Sequence, residues 1–195
     1  MIDYSQMERL VRGRTPETIY AHCAATAQMA RDLAAYYGLD SHKAWLAGLL
    51  HDIARPLDDG KLIDEAERLG VEIAEIERAA PVLLHSKVGA RIAETQLGIS
   101  DPQILEAITV HTTGAPGMGD LARVVFVADY AEPTRELAGA GEVRALLPEH
   151  LDEAVLAVVR HKIDYVRQSG GTVDPRCVEL QNELARKEPR RPEPS

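Results

Sequence analysis

An all-α fold is what this sequence predicts. Three observations carry that expectation. Apolar residues recur at helical spacing through nearly every long segment. Most segments open on Ser, Thr, Asp or Pro and close on Gly, the grammar of helix ends. No Asn-Gly or Asp-Gly pair stands between alternating apolar runs, so no hairpin is signalled.

The elements follow in order. "DYSQMERLVRG" (3–13) is a short amphipathic start. "TPETIYAHCAATAQMARDLAAYYG" (15–38) predicts a helix with Thr15 as N-cap, Pro16 at the first helical position and Gly38 as the stop. "DSHKAWLAGLLHD" (40–52) is capped by Asp40 or Ser41, and Pro56 helps to end it. "DGKLIDEAERLG" (59–70) and "EIAEIERAAP" (72–81) are shorter helices with polar faces. "PVLLHSKVGARIAETQLG" (81–98) starts after Pro and stops at Gly. "SDPQILEAITVHTTG" (100–114) repeats that pattern, with Ser100 or Asp101 as cap. "GDLARVVFVADYAEPTREL" (119–137) is apolar enough to be central; its "VVFVA" also fits a buried strand, and length and flanks favour helix. "PEHLDEAVLAVVRHKIDYVRQSG" (148–170) and "DPRCVELQNELARK" (174–187) complete the set, with no repeat at solenoid periods. One domain over 1–187 is expected, with a disordered, Pro-rich tail, "EPRRPEPS", over 188–195.

Composition narrows the classes. A net charge of −9 opposes nonspecific binding to nucleic acid, while leaving room for a local pocket of opposite sign. No apolar run approaches the roughly 20 residues that span a bilayer, and "MIDYSQMERLVRGR" lacks the apolar core of a signal peptide. Cys23 and Cys177 form no CxxC pair, so a reduced, cytoplasmic protein is expected.

The chemistry must lie among the polar residues that interrupt apolar helices. His51 and Asp52 end "WLAGLL", His85 follows "VLL", His111 follows "AITV", and Asp129 sits inside "VVFVADYA". His22 shares a helical face with Ile19, Thr26 and Met29. Singly, each has a structural explanation. A lone His is more often a hydrogen-bonded core residue than a ligand. A lone Asp is more often a cap or an ion-pair partner, here of Arg123 or Arg135. As a set, they all break helices that must pack together. Nitrogen and oxygen donors of this kind suit a first-row metal such as iron, manganese or zinc. His42, His150 and His161 differ: they lie at a helix start and in a strongly charged helix.

The doublet at 51–52, with His22 before it and Asp129 after it, resembles the HD superfamily of metal-dependent phosphohydrolases. The blocks "AGLLHDIAR", "LLHSKVGA", "ILEAITVHTTG" and "VADYAEPTR" resemble its YqeK-type subfamily, from Tyr20 to about Leu184. The family pattern has Arg where this chain has Ile19, an apolar residue at Thr26 and Lys at Arg55. The resemblance implies an HD-domain helical bundle with a metal site between central helices. It implies symmetrical hydrolysis of diadenosine tetraphosphate to two ADP, by attack of metal-activated water on an inner phosphorus. Iron is the implied cofactor, with manganese or another divalent first-row metal as alternatives.

The resemblance places the metal on His22, His51, Asp52 and Asp129. Asp52, His85 and His111 are the implied catalytic residues, with Asp52 orienting or deprotonating the water. His22, Asp52, His85, His111, Asp129, Tyr130 and Arg135 are the implied substrate contacts. A second metal on His85 and His111 is an open alternative to phosphate contact there. Glu132 is expected only to hold Arg135. Arg55, Lys87, Thr112 and Thr113 are candidate phosphate binders, against solvated charge or helix termination. The implied partners are a dinucleoside polyphosphate or ADP and a second copy of the chain. Two other classes stay open: an HD nucleotidase or nucleoside triphosphate phosphohydrolase, and a non-catalytic nucleotide-binding helical module.

Overall fold

A computed structural model describes residues 4–187. Among them are eleven α-helices, one 3₁₀ turn and no strand. In chain order the helices are α1 Tyr4–Arg14, α2 Glu17–Tyr36, α3 Ser41–Leu50, α4 Asp59–Arg68, α5 Glu75–Ala79, α6 Leu84–Leu97, α7 Pro102–Val110, α8 Asp120–Ala131, α9 Ala140–Leu146, α10 Leu151–Gln168 and α11 Pro175–Lys187. The 3₁₀ turn Pro81–Leu83 leads into α6. The tail expected over 188–195 lies outside the described residues.

Local chemistry sets most boundaries. Asp40 accepts from the N–H groups of His42 and Lys43, and Asp101 from those of Gln103 and Ile104. Each carboxylate satisfies donors that the first helical turn leaves unpaired. Gly98 closes α6 with φ +71°, in the left-handed region where a side chain is disfavoured. Thr15 does not cap α2: its hydroxyl donates back to the Val11 carbonyl at 2.8 Å, closing α1, and Pro16 takes the cap position with no side-chain bond. The helix expected over 40–52 stops at Leu50, and 51–56 form turns. The stretch 72–81 contains only the five residues of α5, because the buried Glu77 carboxylate accepts from the Ala74 N–H and fixes the start there. The segment of α9 is too short to display a period, and the sequence gives no warning of it.

The "VVFVA" segment is helix, within α8. From Leu121 to Ala131 every residue but Arg123 is buried. Neighbours surround it: α2, α3, α7, α9 and α10 all pack on α8. A helix buried on every side loses its amphipathic period, so its run imitates a buried strand.

The tightest crossing is between α2 and α3. A Cβ on Gly48 would stand 2.8 Å from the Ala27 Cα and 3.0 Å from the Ala27 nitrogen, both backbone atoms that cannot yield alone. The same crossing brings His22 of α2 to His51, just past α3. Gly48→Ala is therefore expected to destabilise the chain. Helix propensity favours Ala by about 1 kcal/mol, but overpacking costs about 1–3 kcal/mol and here meets main chain. A net loss of up to about 2 kcal/mol in denaturant unfolding is expected; a gain would mean the crossing is looser than described.

Candidate metal centre

The six side chains singled out in the sequence meet at one place. His22 comes from α2, His51 and Asp52 from the turn after α3, His85 from α6, His111 from the end of α7 and Asp129 from α8. All are buried except His22, which is partly exposed.

Three of the imidazoles are held by the same device. His51 Nδ1 donates to the Gly48 carbonyl at 2.7 Å, and His111 Nδ1 to the Ile108 carbonyl at 2.7 Å. His85 Nδ1 donates to the Val82 carbonyl. Each partner lies three residues back, and a carbonyl can only accept, so the proton is on Nδ1. His22 Nδ1 donates to Glu132 Oε1 at 3.2 Å instead. In the neutral form all four rings then present a bare Nε2 lone pair.

Those lone pairs face one another. His22 Nε2 and His51 Nε2 are 3.1 Å apart, with Asp129 Oδ1 at 3.0 Å from the first and 3.5 Å from the second. His85 Nε2 and His111 Nε2 are 3.0 Å apart, with Asp52 Oδ1 at 3.2 and 3.5 Å. Asp52 Oδ2 lies 3.6 Å from His51 Nε2, so this carboxylate bridges the two clusters. Such contacts repel unless positive charge sits between them. Ligand atoms about 2.1 Å from one ion stand roughly 3.0–3.4 Å apart, and these spacings match. His22, His51 and Asp129 form one group able to hold an ion; His51, Asp52 and His111 form another. The donor set of imidazoles and carboxylates fits a divalent first-row metal.

The field of the site agrees. Burial opposes ionisation of Asp52, but the charge of His51 beside it holds its carboxyl well below the usual range. Burial likewise opposes Asp129, and the contact with protonated His51 and the charge of Lys162 hold it well below. Burial works against a charge on His51, yet Asp52 and Asp129 raise it to about 9. Burial drives His111 to about 4, which keeps its Nε2 bare.

Other expectations receive particular outcomes. Arg135 lies at the centre, its Nη2 3.2 Å from Asp129 Oδ1 and 3.0 Å from His22 Nε2. Arg123 turns away to Asp152 at 3.0 Å. Glu132 does not hold the Arg135 side chain: its carboxylate accepts from His22 Nδ1 and from the Thr134 N–H and hydroxyl. Tyr130 donates its hydroxyl to the Ala138 carbonyl and stacks on His161, centroids 5.9 Å apart. Thr112 Oγ1 sits 3.1 Å from His85 Nε2, inside the cluster, whereas Thr113 spends its hydroxyl on the Gly114 carbonyl. Lys87 pairs with Glu77 at 2.8 Å, within a separate ion network. Cys23 is fully buried, and burial pushes its thiol far up.

The centre floors a cavity of about 600 Å³, whose lining includes Asp52, Arg55, His85, His111, Asp129 and Arg135. Sequence reasoning missed several of its other residues. Lys162, on the helix whose histidines were set aside as strongly charged, was not singled out. Val82, Leu137 and Tyr165, 37 %, 44 % and 73 % exposed, also line it. A signal for Lys162 existed: it follows Val155 and Val158 on the buried stripe of α10, at i+7 and i+4.

Comparisons with known proteins fall in line with this geometry. The family model described as HD domain matches residues 19–134, a span that contains His22, His51, Asp52, His85, His111 and Asp129. The chain is 34 % identical to a symmetrical bis(5'-nucleosyl)-tetraphosphatase of Bacillus subtilis, over 85 % of this chain and 88 % of that one. It is 32 % identical to a protein of the same name from Halalkalibacterium halodurans, over 90 % and 94 %. A crystal structure of a "predicted HD superfamily hydrolase involved in NAD metabolism" from Clostridium acetobutylicum superposes with a TM-score of 0.91 at 33 % identity, over 96 % of this chain and all of that one. By its helices, its clustered His and Asp residues and these matches, the chain belongs to the HD-domain family.

Proposed function

We propose that the protein is a metal-dependent phosphohydrolase that cleaves diadenosine tetraphosphate symmetrically to two ADP. The observation that carries this reading is the pair of opposed imidazole Nε2 atoms in each of two clusters, joined by Asp52 at the floor of the cavity. The names of the B. subtilis and H. halodurans relatives supply the substrate and the symmetry of the cut.

His22, His51, Asp52 and Asp129 would hold the ion, iron or another divalent first-row metal. Bound there, it supplies Lewis acidity toward a phosphoryl oxygen and a water of lowered pKa. The rest falls to the chain's own residues. Asp52, ionised and bridging both clusters, orients the attacking water and accepts its proton. Three carboxylates (Asp52, Asp129 and Glu132) face two fixed cations (Arg135 and Lys162). With neutral imidazoles the centre is one negative charge in excess; a divalent ion makes it one positive, a balance that favours a phosphate oxygen. Arg135 offers a guanidinium fork to the phosphates. His85 and His111 face the leaving phosphate or hold a second ion. No helix among the described residues is long and apolar enough to cross a membrane. The apolar side chains Val82, Leu137 and Tyr165 give a nucleoside a surface to rest on.

Asp52→Ala and Asp129→Ala are each expected to lose most bound metal and nearly all turnover while staying helical by circular dichroism. Wild-type metal content in either variant would remove that residue from the ligand set. In His111→Ala, retention of all metal supports phosphate contact, and loss of half supports a two-ion centre. Arg135→Ala is expected to keep its metal but lose tenfold to a hundredfold in kcat/KM, since a charge-assisted contact is worth about 1.5–3 kcal/mol. Unchanged kinetics would end the phosphate role. For the reaction itself, ADP is expected as the sole nucleotide product, and in oxygen-18 water one label should enter one of the two ADP molecules. AMP and ATP in equal amounts would overturn the symmetrical cut. No turnover with iron, manganese or cobalt supplied would point to another phosphate ester as substrate.

A further inference from the structure

Among the described residues, Lys162 is a cation near the centre that no resemblance accounts for. It stands on α10, outside the stretch that matches the HD-domain model. Its side chain is 19 % exposed and lines the cavity. The ammonium donates to the carbonyls of His111 and Thr112, both at 3.0 Å, and lies 4.5 Å above the Phe126 ring. It stands 3.7 Å from Asp129 Oδ2. Three elements therefore meet at one nitrogen: the end of α7 that bears His111, α8 that bears Phe126 and Asp129, and α10 itself.

We propose that Lys162 is a positioning residue for the metal centre: it engages Asp129 Oδ2 and the His111 carbonyl, so that Asp129 Oδ1 faces His22 and His51 while His111 Nε2 faces Asp52. This rests on the metal reading above and adds a residue to it. A carboxylate has two equivalent oxygens and turns easily about its last bond. Nothing in the side chain itself decides which oxygen meets the ion, or whether both do. Here Oδ1 faces two imidazoles and Arg135, and a cation attends Oδ2. That division favours one-oxygen coordination. Holding the carbonyls of His111 and Thr112 also fixes the end of α7, where the chain could otherwise fray.

Simple electrostatics predicts the opposite effect of removing Lys162. An ammonium this close repels a divalent ion, so its loss should tighten metal binding. Positioning predicts weaker binding and altered coordination, because partners that orient metal ligands are worth about tenfold to a hundredfold in affinity. The two accounts therefore differ in sign.

The test compares wild type, Lys162→Met and Lys162→Arg. Mn2+ affinity is measured by calorimetry on metal-free protein, and the visible spectrum is recorded after loading with Co2+. Circular dichroism and thermal unfolding of the metal-free chains check the fold. Expected are a tenfold or greater loss of Mn2+ affinity and a changed Co2+ spectrum in Lys162→Met. Lys162→Arg, which keeps the charge and has the cavity to extend into, should recover most of both. Should Met unfold the chain, Lys162→Gln carries the same test, keeping a donor without the charge. Equal or tighter Mn2+ binding with an unchanged Co2+ spectrum would overturn the proposal while leaving the metal reading intact. A wild-type protein that binds neither Mn2+ nor Co2+ would remove both.

Discussion

The centre depends on a bond made three times: an imidazole Nδ1–H donated to the carbonyl three residues back. At His51, His85 and His111 it settles which nitrogen carries the proton and which way the ring faces. The bond is local, so it needs no distant partner, and it forms where helical geometry puts side chain and carbonyl together. His51 and His111 directly follow the last residues of α3 and α7. Both ends point inward, and so do the Nε2 atoms.

Convergence of this kind needs support from the packing, and two features supply it. Gly48 lets α2 and α3 approach until a Cβ would strike main chain, which brings His22 within 3.1 Å of His51. Gly48 also offers the carbonyl that holds His51. One residue thus sets both the separation of two helices and the direction of a ring. The second feature is α8, enclosed by five other helices. It carries Asp129 on a segment with little freedom to move. The costly group is placed where its position is best defined, and its neighbours rather than water must balance it.

Much of this was legible in the sequence, for reasons that differ by element. Asp40, Asp101 and Gly98 act locally, so caps and stops could be read from single residues. Thr15 failed as a cap because its hydroxyl had a choice of two helices and bonded backward to Val11. The six polar intrusions could be read because burying His or Asp on an apolar helix is costly without a partner. Their partners were harder. Glu132 lies 110 residues from His22, and spacing along the chain says nothing of such a contact. Lys162 sat among Arg, His and Asp, and its place on the buried stripe was masked by that company. Lys87 was open between phosphate contact and solvated charge, and the fold spends it on Glu77.

The charges of the centre differ between its two clusters. Asp52 and Asp129 are kept ionised inside the protein, and the same two carboxylates raise His51 to about 9. A proton on His51 answers the carboxylates of Asp52 and Asp129. The second cluster has less help. Burial keeps His111 neutral, and the Thr112 hydroxyl has a single proton to offer between two nitrogens. The cluster with the proton is the one that can wait for an ion; the cluster without it keeps a bare nitrogen facing Asp52. That asymmetry sets positive charge beside His22 and Asp129, and leaves a neutral imidazole facing Asp52.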